Sequence, residues 1–353
     1  MPPETMRAVG FHEHGDIEQF EMLSVDTPSA GRGEVLIEVA ACALNRQDLL
    51  AIRELEHYIP GYPFWGGGDI AGRVAAVGDG VADWSTGDRV VVNPAMPCGQ
   101  CEFCIQGEGS MCADYRVLGE HLRGGFAEFI AVPADNLYPV PAEYPIERAA
   151  AAPMAGGTAW RALASRADVE PYHDVLIVGA TGGVGTFAVQ FARRVLNADT
   201  VYATTSSADR AEFLRDLGAD HVVDYTSTDF DSAVWEATDQ RGVDVVYNCV
   251  GGETWVPSMR ALANGGVLVT SGATAGPNPE TEIRLMFVRQ FDIRGSTTHN
   301  RHEFAQAMEF ILEGPVEPVI DDIYAFDAFE SAFRAMDERR HRGKLVLSIQ
   351  DRE

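Results

Sequence analysis

The centre of the chain reads Asp174-Val-Leu-Ile-Val-Gly-Ala-Thr-Gly-Gly-Val-Gly-Thr-Phe-Ala-Val-Gln-Phe-Ala-Arg193. It opens with an apolar run, Val175–Val178, of the length of a buried strand, and a glycine-rich turn follows. Apolar residues then recur at helical spacing. A strand, a glycine turn and a helix in this order place helix N–H groups where a pyrophosphate can bind. The stretch therefore predicts a nucleotide site formed by Gly179, Thr181, Gly182, Gly183, Val184 and Gly185.

Strands and helices alternate in the chain from about Pro153 onward, which indicates a parallel, doubly wound sheet. The predicted strands are Val175–Val178, Thr200–Ala203, His221–Asp224, Val243–Cys249 and Gly266–Ser271, and the helices include Phe187–Leu196 and Asp209–Leu217. The N-terminal third instead reads as short strands between turns, typical of an all-β, barrel-like domain. These strands are Met6–Phe11, Glu34–Ala40, Gly72–Val77 and Asp88–Val92. A helix at Arg301–Leu312 and a strand at Lys344–Ile349 are expected to return to that first domain.

The charge of the chain is strongly negative. Fifty-three acidic residues face 27 basic ones, for a net charge of −26, and Lys344 is the only lysine. Such a field disfavours nucleic acid and anionic membranes as partners. The acids are spread along all 353 residues, which favours a halophile-type composition over a surface for a basic partner. Without an apolar run of ~18 residues or a signal segment, the sequence predicts a cytoplasmic protein.

A second glycine-rich stretch, Gly66-Gly-Gly-Asp-Ile-Ala-Gly-Arg-Val-Ala-Ala-Val-Gly-Asp-Gly-Val81, carries a family resemblance. Its spacing is similar to the signature of the medium-chain dehydrogenase/reductase superfamily. The Gly-Gly-Val-Gly of the central turn resembles the quinone-oxidoreductase branch, and Val243–Gly252 and Ala263–Val269 match as well. The resemblance implies a GroES-like catalytic domain (1-151), a Rossmann NADP-binding domain (152-298) and a return to the first domain (299-353). It also implies a small-molecule substrate in the cleft between the domains, and a homodimer or homotetramer.

Four cysteines, Cys98, Cys101, Cys104 and Cys112, fall within fifteen residues of a loop. This spacing suits a tetrahedral Zn²⁺ site with four thiolate ligands. The alternatives are two disulfides, which a reducing compartment disfavours, and an iron–sulfur cluster. The resemblance points to one structural zinc in a lobe at 94-116. Cys42 and Cys249 are expected to be ordinary buried thiols.

A catalytic zinc, by contrast, lacks its ligands. Zinc alcohol dehydrogenases of the superfamily hold a second ion at positions where this sequence has Asn45, Gly68 and Met154, with Asp69 in place of Glu. Glycine cannot ligate, and asparagine and methionine are poor zinc ligands. The resemblance therefore implies an enzyme without a catalytic metal. An alternative site built from Asp48, His57 and Asp69 stays open.

Other polar residues are candidates for chemistry and cofactor binding. Asn45 and Asp48 resemble the polar pair that lines the nicotinamide side of the cleft in zinc-free relatives, and their alternative is a helix cap. By the resemblance, Tyr58, or His57 if the alignment shifts by one residue, corresponds to a tyrosine that reaches the substrate pocket in the quinone-oxidoreductase branch. Hydroxyls and an arginine follow the second strand, where NAD enzymes place an acid. The predicted cofactor residues there are Ser206, Ser207, Arg210 and Tyr225, and the resemblance implies that the loops under the nicotinamide contain Gly251, Gly252, Ser271 and Gly272.

Three functional hypotheses follow. The first is an NADPH-dependent reductase that transfers a hydride to a quinone or an α,β-unsaturated carbonyl without a catalytic metal. The second is a zinc-type alcohol or polyol dehydrogenase with atypical ligands. The third is a relative that binds the cofactor without turnover.

Overall fold

The computed structural model describes residues 2–53 and 59–350. The chain divides into two units by its contacts. The first consists of Met1–Met154, Asn300–Glu313 and Pro318–Glu353, and the second of Ala155–His299 and Gly314–Glu317. No helix in the described part of the chain is long and apolar enough to cross a membrane.

The strands and helices are numbered here in chain order. The strands are β1 (Thr5–Gly10), β2 (Glu21–Asp26), β3 (Glu34–Ala43), β4 (Asp69–Val77), β5 (Arg89–Val92), β6 (Ala95–Met96), β7 (Arg116–Val117), β8 (Phe129–Pro133), β9 (Leu137–Pro139), β10 (Asp174–Val178), β11 (Thr200–Thr205), β12 (His221–Asp224), β13 (Val243–Asn248), β14 (Leu262–Thr270), β15 (Asp292–Gly295), β16 (Ile320–Ala325) and β17 (Lys344–Ser348). The α-helices are α1 (Arg46–Ile52), α2 (Glu102–Ile105), α3 (Ile146–Ala150), α4 (Pro153–Trp160), α5 (Gly183–Gln190), α6 (Ala211–Leu217), α7 (Phe230–Ala237), α8 (Trp255–Ala261), α9 (Ile283–Arg289), α10 (Arg301–Leu312) and α11 (Phe329–Asp337).

The first unit is built on a sheet whose strands run in the order β16-β17-β3-β4-β5-β9, with β8 paired to β3. Strand β3 is its longest member and pairs with β4 along one edge and with two strands, β8 and β17, along the other. Its first half pairs antiparallel with β8, and its last residues pair antiparallel with β17. Gly72 lets β4 approach β3 closely, because a Cβ there would lie 2.1 Å from the carbonyl oxygen of Glu38. The ladder thus brings the C-terminal strand against the end of β3.

The second unit is a parallel sheet with the order β12-β11-β10-β13-β14-β15. Its central strand β10 pairs in parallel with β11 on one side and β13 on the other. The residues from Val175 to Val178 are all buried, as expected for a strand covered on both faces. The order reverses at β10, and in such sheets ligands bind at the carboxyl ends of the strands beside the reversal.

This architecture confirms the predicted fold class, a GroES-like domain with a Rossmann-type sheet. The strand predicted at His221–Asp224 and the helix predicted at Arg301–Leu312 agree with β12 and α10 at both ends. The predicted helix Phe187–Leu196 begins earlier, at Gly183, and continues beyond α5 as a π-helix, Phe191–Val195. The strands that were not predicted are β2, β6, β7, β8, β9, β15 and β16.

Candidate active site

Three polar side chains converge where β3 ends, β4 begins and β17 begins. Ala43 of β3 pairs with Asp69 of β4 and also with Val346 of β17. Asn45 lies two residues after the end of β3, as the N-cap of α1. The same register therefore brings Asn45, Asp69 and Lys344 together, although 275 residues separate the last two.

The ammonium of Lys344 is the cation of this cluster. Its Nζ lies 2.8 Å from Asp69 Oδ2, 2.6 Å from Asn45 Oδ1 and 2.7 Å from the carbonyl oxygen of Leu44. Asn45 Nδ2 in turn donates to Asp69 Oδ2 at 3.0 Å. The Lys344 and Asp69 side chains are 3% and 0% exposed. A buried pair of this kind is tolerated because each charge is matched and hydrogen-bonded, and removing one partner is strongly destabilising.

Asp48 lies in the first turn of α1 and is buried. Its Oδ2 accepts the backbone N–H of Asn45 at 2.7 Å, and its Oδ1 accepts that of Gly67 at 3.0 Å. Burial raises the pKa of Asp48 to about 7, against the lowering effect of these two hydrogen bonds. The residue thus makes the helix-capping contact with Asn45 that was the alternative to a role in the cleft, and its bond to Gly67 also connects the Gly66–Asp69 segment to α1.

The positions predicted to have lost zinc ligands are neighbours in the structure. A Cβ on Gly68 would lie 3.2 Å from Cε of Met154, and the backbone N–H of Met154 donates to Asp69 Oδ1. Both oxygens of Asp69 and both of Asp48 therefore accept hydrogen bonds from protein donors. The alternative metal site also needs His57, which lies with Tyr58 outside the described residues.

The four clustered cysteines meet as the sequence predicted. Their sulfur atoms all lie within 4.8 Å of one another, and Cys104 Sγ is 3.9 Å from Cys98 Sγ and 3.5 Å from Cys101 Sγ. Four sulfurs about 2.3 Å from one zinc would be about 3.8 Å apart. Backbone N–H groups of Gln100 and Cys101 lower the pKa of Cys98 to about 7, which favours a thiolate ligand. The donor set fits a closed, structural zinc site.

The other two cysteines are not reactive thiolates. Cys42 is fully buried, and burial raises its pKa. Cys249, which was expected to be buried, is partly exposed, and its thiol donates to the carbonyl oxygen of Val178 at 3.5 Å. Burial of the sulfur nevertheless raises the pKa of Cys249 to about 11.

The glycine turn of the second unit has the shape of a phosphate cradle. Gly179 has φ +85°, and a Cβ on Gly185 would lie 2.2 Å from the Gly179 carbonyl oxygen, so α5 packs on the turn only with glycine there. A Cβ on Gly182, the N-cap of α5, would meet nothing nearer than 3.7 Å. The turn therefore leaves space at the start of α5, where backbone N–H groups attract an anion.

The residues after β11 lie beside the end of β12. The backbone N–H of Tyr225 donates to the carbonyl oxygen of Thr205 at 3.0 Å, and the Tyr225 side chain is 43% exposed. The hydroxyl of Ser207 donates to the carboxylate of Asp209. The same loop thus holds the predicted phosphate donors Ser206, Ser207 and Arg210 together with one acidic side chain.

The later loops of the predicted cofactor site are held by the ends of β13 and β14. Asn248 Oδ1 accepts the backbone N–H groups of Val250 and Gly251 at 2.8 and 2.9 Å. Gly251 has φ +68°, a conformation that favours glycine. The Ser271 hydroxyl lies 2.5 Å from the hydroxyl of buried Tyr247. These contacts fix the loops at the carboxyl edge of the sheet.

The sequence predicts Asn45 and Asp48 as site residues and Asp69 only as part of an alternative metal site, but it does not predict Lys344. A single lysine, retained in the apolar strand Lys344–Ser348 of a chain that otherwise avoids the residue, is the signal that could have indicated it.

Comparisons with known proteins agree with this geometry. The alcohol dehydrogenase GroES-like domain model matches residues 31–142, and the zinc-binding dehydrogenase model matches residues 183–313. A solved NAD-dependent alcohol dehydrogenase is 35% identical with a TM-score of 0.93, covering 98% of this chain and 100% of its own. The acryloyl-coenzyme A reductase of Metallosphaera sedula is 29% identical over 95% of this chain and 98% of its own. A solved crotonyl-CoA carboxylase/reductase in complex with NADP is 25% identical with a TM-score of 0.91, covering 100% and 96%. The chain is therefore an oxidoreductase that belongs to the medium-chain dehydrogenase/reductase superfamily.

Proposed function

We propose that this enzyme is an NADPH-dependent reductase of α,β-unsaturated carbonyls or quinones that works without a catalytic metal. The observation that carries the proposal is the ion pair between the Lys344 ammonium and the Asp69 carboxylate. This pair lies next to Asn45, Gly68 and Met154. A protein cation already balances the carboxylate at the positions where zinc-dependent relatives hold their ion. The acryloyl-coenzyme A reductase and the NADP-bound crotonyl-CoA carboxylase/reductase support an enone-type acceptor.

The proposed roles rest on the contacts above and on the family resemblance. NADPH, when bound, supplies the hydride. The glycine turn at Gly179–Gly185 binds its pyrophosphate, with Gly251 and Ser271 in the loops nearer the nicotinamide. Asn45 donates a hydrogen bond to the oxygen on which negative charge develops. Asp48 holds the backbone of Asn45 in place, and Tyr58 or solvent returns the proton.

A second candidate, an alcohol dehydrogenase, is favoured by the 35% identity to the NAD-dependent enzyme. The two are separated by steady-state assays in high salt. Oxidation of NADPH is measured with enones, enoyl thioesters and quinones, and reduction of NAD⁺ and NADP⁺ is measured with simple alcohols. Turnover of alcohols that a chelator abolishes without unfolding the protein would decide for the alcohol dehydrogenase.

We further propose one zinc per chain, bound by Cys98, Cys101, Cys104 and Cys112. Elemental analysis of desalted protein is expected to give a ratio near one. Replacing Cys104 with Ser should lower this ratio and the melting temperature together, because a structural zinc contributes to folding. A ratio near two in the wild type would contradict the metal-free reaction, and a ratio near zero would contradict the structural site.

The preference for NADPH is proposed to depend on Ser206, Ser207 and Arg210. Arg210→Ala should raise the KM for NADPH about tenfold or more, since a charge-assisted hydrogen bond contributes roughly 1.5–3 kcal/mol. The KM for NADH should change little. Asp209→Asn is the complementary variant with the opposite expected effect. It removes the negative charge hydrogen-bonded to Ser207 and should shift the preference further toward NADPH. An equal effect of Arg210→Ala on both cofactors would place Arg210 outside the phosphate site.

A further inference from the structure

The orientation of the Asn45 amide is set by its two charged neighbours. Its oxygen lies 2.6 Å from the Lys344 ammonium and its nitrogen lies 3.0 Å from Asp69 Oδ2. An ammonium can only donate and a carboxylate can only accept hydrogen bonds. The reversed amide would place NH₂ against the ammonium and the oxygen against the carboxylate. The buried ion pair therefore permits one of the two orientations.

This orientation leaves one N–H of the amide for a ligand. Of the two hydrogens on Asn45 Nδ2, one is directed to Asp69, and the other has no acceptor among the residues that the structure describes. Asn45 is only partly buried, whereas Lys344 and Asp69 are almost completely enclosed. All three ammonium hydrogens of Lys344 are matched by protein acceptors. The ammonium thus has no hydrogen left to donate to a substrate.

We infer that Lys344 is a positioning residue that fixes Asn45 as a hydrogen-bond donor for the oxygen of the substrate. This inference rests on the proposed function, in which Asn45 contacts the oxygen that becomes negative. It assigns Lys344 a role in addition to neutralising the charge of Asp69. A lysine that only neutralised Asp69 would be dispensable once Asp69 were neutral, whereas a lysine that orients the amide would not.

The double variant Lys344→Met/Asp69→Asn separates these two roles. Removing both charges avoids the uncompensated buried carboxylate that Lys344→Met alone would leave. The oxygen of the new amide at position 69 can keep the N–H of Met154, which now donates to Asp69. Its NH₂ then faces Asn45 and selects the orientation with the Asn45 oxygen toward position 69. The preference for the donor orientation is lost.

We expect the double variant to fold and to bind NADPH with unchanged KM, while its kcat on an enone falls about 10–100-fold, somewhat less than the ~10²–10³-fold loss expected when the donor is removed altogether. Asn45→Ala is measured in parallel. If Asn45→Ala is slow and the double variant is as fast as the wild type, Lys344 only balances charge and the inference is wrong. If Asn45→Ala is itself fast, the proposed donor role fails, and the inference fails with it.

A spectroscopic measurement tests the same contact if the double variant does not fold. Because Lys344 is the only lysine, labelling with ¹³Cε-lysine gives a single side-chain NMR signal. Asn45→Ala removes one of the three acceptors around the ammonium and should shift this signal. Asn300→Ala removes the N-cap of α10 and should leave the signal unchanged. A signal that Asn45→Ala does not move would overturn the inference.

Discussion

Replacing Asn45 with Ala is expected to lower kcat on an enone about 10²–10³-fold, the usual loss when one preorganised donor to a developing oxyanion is removed. The amide is held by Lys344 and Asp69, so it does not need to reorganise during the reaction. The KM for NADPH should stay within about twofold, since the cofactor contacts proposed above lie on other elements. Stopped-flow hydride transfer and steady-state kcat are the measurements.

Asn300→Ala is the matched control for this variant. Asn300 precedes α10 as Asn45 precedes α1, and the backbone N–H of each donates to an acidic residue in the first turn, Glu303 and Asp48. The Asn300 side chain bonds to Ser110 and Glu108 instead of to a lysine. Loss of a cap costs about 1 kcal/mol of stability, so both variants should melt at lower temperature. Only Asn45→Ala should slow turnover. Equal rates in the two variants would mean that Asn45 is a helix cap and nothing more.

The free energy of unfolding should fall as pH rises, and the titration of Asp48 should account for a large part of this fall. The pKa of Asp48 is raised from 3.8 to about 7, mainly by burial. Between these values the folded protein keeps a proton that the unfolded chain releases, so stability falls with rising pH. At about 1.4 kcal/mol per pH unit, the contribution reaches on the order of 4 kcal/mol near pH 7 and is constant above it.

Asp48→Asn isolates this contribution from those of the other acidic residues. The loss of one hydrogen bond destabilises this variant by an amount that is roughly independent of pH. Its amide can accept only one of the two N–H groups, of Asn45 and Gly67, that Asp48 accepts in the wild type. Its stability relative to the wild type should therefore rise from pH 4 to pH 7 and then stay level. Denaturant unfolding at fixed high salt measures the difference. A difference independent of pH would show that Asp48 ionises normally in the folded protein.

The parts of the fold that local patterns encode were predictable. The turn between β10 and α5 is specified within a few residues, because Gly179 needs a positive φ and Gly185 permits close packing. The four cysteines are close in sequence, so their spacing alone brings the sulfur atoms together. In both cases all the residues involved lie within one short segment, and their types indicate the chemistry.

The cluster around Asn45 was only partly predictable because it is assembled by strand pairing over long distances. The sequence marks Asn45 and Asp69, but nothing near Lys344 indicates that β17 pairs with β3. The burial of Asp48, and hence the raised pKa, also depends on that assembly. Strand β16 was missed for a similar reason: it pairs in parallel with β17, a partner that lies beyond α11 in the chain.

The pairing of β17 with β3 also has a consequence for the order in which the protein is made. The ribosome adds Lys344 275 residues after Asp69. Until then the nascent first domain must hold a carboxylate without its cation, beside a β3 edge that still lacks its partner strand. We therefore expect this domain to remain accessible to chaperones throughout synthesis of the Rossmann domain, and to complete its sheet only after β17 has left the exit tunnel.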